Sequence, residues 1–224
     1  LCCLWYIGKH FPILRGTKEE WKPLPKYMMR LCAVGIPMGM QYSITAIGTL
    51  VIQAAVNGFG STVVAGVTAA NKLGNFVSCP IEALGQTMAP YVGQNMGAGK
   101  PKRIGKGLLA ASLMGFGVSA VLLVIVLLFG KPMTLLFLSA KEVKAVKYAY
   151  QYMIVTTAGY SLLTLVNTVR FTIQGMGYSA IAILAGVFEM AARTLAGTLV
   201  VSMIGFMGVC LANDLAWIFA DAFL

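Results

Sequence analysis

Lys72, Asn75, Cys79, Glu82 and Gln86 recur at three- and four-residue spacing through an otherwise apolar stretch. At 100° per residue they fall within an arc of about 80°, so an α-helix there carries a single polar stripe. A carboxylate withdrawn from bulk water and set among amides can take up a proton or hold a cation. Pro80 lies in the same stripe and removes one helix hydrogen bond, which predicts a kink beside the acid. A polar stripe at a kink suits the wall of a water-filled cavity. Glu82 is therefore the principal candidate for binding a proton or a cation, with Asn75 and Gln86 beside it. The competing reading is a hydrogen-bonded tie between helices. Lys72 stands about 15 Å from Glu82 along the axis, too far to pair with it, and is expected to snorkel to the outer interface.

Other intramembrane polar groups form weaker sets. Gln41, Thr45, Thr49, Gln53 and Asn57 are spaced four apart, a ladder of which part, Gln41 included, can face the Glu82 cavity. Glu189 and Arg193 stand at i and i+4 in the order that favours an ion pair, and read as structural. Asp214, Trp217 and Asp221 share a helix face; Asp214 is the deeper of the two acids and a second candidate ion site, whereas Asp221 reads as near the cytoplasmic interface. Tyr42, Tyr91, Tyr160 and Trp217 offer π faces to a lipophilic cation, although packing is the commoner role. Five cysteines show no C-x-x-C spacing, and His10, the only histidine, has no cysteine partner. Neither a metal, a redox motif nor a nucleophile with its base is expected. The glycines of 93–99 do not form a phosphate-binding loop.

These groups need a scaffold, and composition says what it is. Hydrophobic residues make up 58% of the 224 and charged residues 11%, against roughly 25% charged in soluble domains. A soluble domain of this size could not cover that much apolar surface. The net charge of +10 is gathered in connecting segments with no basic, aromatic-interleaved pattern, so a nucleic-acid partner is not expected and anionic headgroups are. Spanning about 30 Å of hydrocarbon takes about 20 helical residues. Six segments meet that length: 32–57, 63–95, 104–129, 148–171, 180–204 and 206–224. The chain reads as an all-α integral membrane protein, with 1–31 as the end of a preceding helix plus a basic linker and 32–224 as a six-helix bundle. Neither end looks like a natural terminus. With Arg170 assigned to the turn at 174–179, Lys and Arg divide eleven against four between the two sides. That places 9–30, 100–106 and 174–179 in the cytoplasm. The basic stretch 131–147 then lies outside, where its spacing suggests an amphipathic surface helix. Gly35 and Gly39 around Pro37 predict close helix packing near the start of the first span.

The run Pro90-Tyr91-Val92-Gly93-Gln94-Asn95-Met96-Gly97-Ala98-Gly99-Lys100, with Arg103 following, resembles a helix end and cytoplasmic loop of the multidrug and toxic compound extrusion family. Gln174-Gly175-Met176-Gly177-Tyr178-Ser179 resembles its later glycine turn, and Gly186-Val187-Phe188-Glu189 with Arg193, and Ala216-Trp217, resemble its bacterial members. The resemblance runs from Gly35 to Leu224. It implies a twelve-helix, two-lobe transporter of which this chain is the C-terminal lobe, working with an N-terminal six-helix lobe. It further implies export of lipophilic cationic compounds across a bacterial plasma membrane in exchange for Na⁺ or H⁺, with no cofactor and no enzymatic reaction. In one bacterial branch the second lobe carries acids on its first and fourth helices; Gln41 and a neutral residue near Leu163 stand there instead. Two alternatives remain: a lipid-linked oligosaccharide flippase of the same superfamily, which would need a more cationic cavity, and a non-transporting subunit or truncated product.

Overall fold

In lipid, backbone N–H and C=O groups have no water to turn to, so apolar runs fold as helices that satisfy themselves. A computed structural model of the protein describes residues 2–11 and 24–224, and it is helical throughout these apart from short turns. The linker cations Arg15, Lys18 and Lys22, with Glu19 and Glu20, lie outside the described residues. The chain divides into two compact units, Leu1–Ile36 and Pro37–Leu224. In the first, α1 (Cys2–His10) stacks Tyr6 on His10 at 4.2 Å between ring centroids and sets the Lys9 ammonium 5.1 Å from the Trp5 ring.

Six long helical segments follow one another from Pro25 onward. They are α2 (Pro25–Asn57), α3 (Ser61–Gly97), α4 (Lys102–Thr134), the pair α5 (Val143–Ala158) and α6 (Tyr160–Gly175), the segment α7 (Ser179–Leu195) continuing through a π-helical turn (Ala196–Val200) into α8 (Val201–Ile204), and α9 (Phe206–Phe223). Four of the helices are long and apolar enough to cross a membrane, and the pair α5–α6 makes a fifth if its two halves are one span. At 37 residues α3 has the length as well, but the polar stripe through Asn75, Glu82 and Gln86 dilutes its apolar content. α4 shows the lipid solvent most plainly, with Leu113 60% and Leu128 68% exposed. Between the helices, Val56, Val67, Ile81, Val126, Val166 and Val209 are fully buried in one core.

α3 is the central element, packed on α4, α5 and α6, while α7 packs on α9. Close approach is made possible by small residues. A Cβ on Gly85 would stand 2.7 Å from the Asn167 Cβ, so α3 meets α6 there only because that position has no side chain. The turn between α6 and α7 is closed by Gly177 at φ +92°, a conformation that L side chains rarely adopt.

Three expectations change. Among the described residues, no atom beyond the local helix backbone lies within 4 Å of a Cβ built on Gly35 or Gly39; a glycine seam of α2 lies further along, where Gly48 meets Arg193 and Gly186 and Gly197 meet Gln41, Val51 and Ile52. The amphipathic surface helix over 131–147 is absent. Lys131 lies in the last turn of α4, residues 135–142 form turns, and Lys144 and Lys147 sit in the first turns of α5. The segment read as one span over 148–171 is bent by 49° at Gly159. Asp214 of α9 fills the space where a Cβ on Gly159 would stand, which fixes the break at that residue.

Candidate functional site

Helices α2, α3, α5, α6, α7 and α9 all contribute to one cavity of about 400 Å³. α3 supplies Asn71, Asn75, Ser78, Glu82 and Gln86; three of the five residues of the predicted stripe are among them, while Asn71 and Ser78 stand where Lys72 and Cys79 were expected. α2 supplies Gln41, Thr45 and Thr49, and α6 supplies Asn167 and Arg170. Glu189 and Arg193 enter from α7, Tyr152 and Thr156 from α5, and Asn213 and Trp217 from α9. Thus Gln41, Asn75, Glu82 and Gln86 lie on one wall system, together with Tyr42, Tyr160 and Trp217.

The two acids of the lining stand in opposite circumstances. Glu189 is 2% exposed and engaged on both oxygens: Oε1 accepts from Nη2 of Arg170, and Oε2 accepts from Nη1 of Arg193 at 3.4 Å. The expected structural pair is therefore a triad. Arg170, assigned to a cytoplasmic turn by sequence, is instead 7% exposed inside α6. The Gln41 amide is best satisfied with its oxygen toward Arg170, 3.2 Å from Nε and 3.1 Å from Nη1, which leaves its nitrogen 2.7 Å from the Gln174 amide. Glu82, by contrast, accepts one hydrogen bond, from Ser78 Oγ at 3.1 Å on its own helix, and is open to the cavity. Desolvated triads of this kind are rigid when fully bonded and costly when not. An open carboxylate has spare lone pairs for a proton or a cation.

Other candidates stand elsewhere. Asp214 is half-buried but outside the lining; its neighbour Asn213 takes that place, donating to Tyr152 Oη at 3.0 Å. Tyr91 is also apart, its hydroxyl donating to the Arg103 carbonyl at 3.0 Å beside Gly107. Lys72 is exposed, its ammonium 5.7 Å from the Phe137 ring, and does not line the cavity. Cys79 donates to the Asn75 carbonyl on the same helix and is also off the lining. Among the described residues no three His, Cys, Asp or Glu side chains gather as a metal cluster would require. Sequence reasoning missed Arg170 and Asn167. The only signal for Arg170 was its i, i+4 spacing from Gln174, which a loop reading absorbs equally well.

The pattern of a known family, described as MatE, matches residues 37–197. The chain belongs to the MatE family. Over 154 residues it is 30% identical to the probable multidrug resistance protein YpnP of Bacillus subtilis (strain 168), a stretch covering 67% of this chain and 33% of that protein. A second Bacillus subtilis relative, the probable multidrug resistance protein YoeA, is 20% identical over 150 residues, 67% of this chain and 32% of its own length. The fold superposes on a multidrug resistance MATE family transporter of the MOP superfamily in an outward-facing conformation, with a TM-score of 0.79, 17% identity, and coverage of 87% of this chain and 43% of that one. A MOP superfamily transporter from Pyrococcus furiosus Vc1 (DSM3638), described as having a binding pocket of reverse polarity, gives 0.76 at 18% identity with the same coverage. The MatE chain thus spans about a third of the curated relatives it matches and under half of those structures. It is a multi-pass membrane protein of a transporter family, not an enzyme, and its fold is about half of a MATE transporter.

Proposed function

We propose that this MatE chain is the C-terminal lobe of a multidrug efflux antiporter in a bacterial plasma membrane. It works with an N-terminal six-helix lobe to export lipophilic cationic compounds in exchange for Na⁺ or H⁺. Glu82 is the coupling site, and Gln41, Asn75 and Gln86 line the chamber around it. The observation that carries this reading is the contrast between the two cavity acids: Glu189 is engaged by two guanidinium groups, while Glu82 accepts from Ser78 on its own helix and faces the cavity. Antiport requires that ion and solute favour different states or compete for one site. An acid bonded only within its own helix can change occupancy without dismantling the bundle.

A flippase for lipid pyrophosphates would need an excess of cations. Arg170 and Arg193 are matched in the lining by Glu82 and Glu189, so no such excess exists. Asp214 serves as a second ion site only in a state that opens the Gly159 contact.

The test is ethidium efflux from cells producing the full-length protein that contains this chain, with and without Glu82→Gln. Export by the parent and its loss in a variant that still reaches the membrane are expected. A variant that exports normally moves the coupling site elsewhere, and a parent that moves no dye overturns multidrug export.

A further inference from the structure

Arg193 is 6% exposed, lines the cavity, and is poorly paired for a buried cation. A guanidinium carries five N–H donors. Its Nη1 reaches Glu189 at 3.4 Å and the Thr45 carbonyl at 3.5 Å, both at the outer limit of a hydrogen bond, and its Nε is buried with no partner among the described residues. Arg170 takes the better share of Glu189 and the Gln41 amide as well. One carboxylate between two guanidinium groups leaves this end of the cavity locally positive, with Glu82 as the balancing charge elsewhere in the lining. On the residue whose carbonyl Arg193 reaches, the Thr45 hydroxyl is also buried with no partner among the described residues, although threonines in helices commonly bond the carbonyl one turn back. Arg193 and Thr45 both line the cavity, so a charged and a neutral donor side chain adjoin on its wall, each with a buried donor atom that no described residue engages. The carbon stem of Arg193 packs where Gly48 lacks a side chain, which holds the guanidinium in place.

We infer that Arg193 and Thr45 form a subsite for the carboxylate of a solute, at the opposite charge pole of the cavity from Glu82. A carboxylate matches the planar fork of a guanidinium in two parallel hydrogen bonds, which a spherical anion cannot make. The solute class that uses both poles carries an ammonium and a carboxylate together. This subsite rests on the cavity being the chamber that admits solute, but not on Glu82 being the coupling site.

The experiment is calorimetric titration of the protein in lipid nanodiscs with benzoate, benzylamine, 4-(aminomethyl)benzoate and chloride. Benzoate binding is expected to weaken about tenfold in Arg193→Met, which keeps the stem, and about threefold in Thr45→Val, which keeps the shape. The doubly charged probe is expected to bind about tenfold tighter than either singly charged one. Equal benzoate affinity in the parent and Arg193→Met overturns the subsite. Displacement of benzoate by an equal concentration of chloride also overturns it, in favour of a free-anion site. Should Arg193→Met not fold, Arg193→Lys decides: weaker benzoate binding supports forked recognition, and unchanged binding overturns it. Loss of benzoate binding in Arg193→Met, alongside a Glu82→Gln protein that still exports ethidium, leaves the subsite standing and removes the coupling assignment alone.

Discussion

Replacing Glu189 by glutamine would leave Arg170 and Arg193 facing each other in a buried site, with Gln41 and the Thr45 carbonyl as their acceptors. Removing one partner of a buried ion pair costs about 3–5 kcal/mol, because the remaining charge stays desolvated. Glu82→Gln should cost under about 1 kcal/mol, since its one hydrogen bond is to Ser78 on the same helix. Thermal unfolding in detergent separates the two: a large drop is expected for Glu189→Gln and little change for Glu82→Gln. Equal drops would make Glu82 the tie between helices that its sequence position also allows. At this scale Asn75, Glu82 and Gln86 of the α3 stripe and the Glu189–Arg193 spacing were legible because both patterns are local to one helix, although the stripe took Lys72 and Cys79 where Asn71 and Ser78 line the cavity. The triad was not. Arg170 and Gln41 join it from other helices, and no spacing within one helix reports a partner on another.

Among the helices, what sequence could not supply was the identity of facing surfaces. Helical length located the six segments, because a membrane imposes that length on each span separately, although α3 has the length without the apolar content. A glycine pair announces room for close approach without naming the helix that uses it, and so Gly35 and Gly39 look like a seam while Gly48, Gly186 and Gly197 form one. The break at Gly159 was hidden for the same reason, since the side chain occupying the space belongs to Asp214 on α9. The observed contacts yield a paired test. Gly85→Ala puts a Cβ 2.7 Å from that of Asn167 and should destabilise by about 1–3 kcal/mol, because α3 and α6 must move apart. Gly117→Ala, with nothing within 4 Å, should be neutral or slightly stabilising through helix propensity. Unfolding midpoints of both in the same detergent check the contrast; equal effects would mean that α3 and α6 do not meet at Gly85.

At the scale of the whole molecule, burying Arg170 changes the charge count on which orientation rests. Without it, ten cations remain in 9–30 and 100–106, against the four at Lys131, Lys141, Lys144 and Lys147. The bias keeps its sign, so the positive-inside rule predicts the turn after α3 in the cytoplasm and the turns between α4 and α5 outside. The four outer cations no longer form a surface helix that would excuse them; they cap the ends of two spans, where Lys131 lies 5.4 Å from the Tyr150 ring and basic stems can reach headgroups. Single cysteines at the exposed positions Ala98 and Ser139, in an otherwise cysteine-free protein, test the arrangement. In intact cells a membrane-impermeant maleimide should label Ser139→Cys and spare Ala98→Cys until the membrane is opened. The reverse pattern would invert the lobe. The turn at 58–60 would then face the cytoplasm.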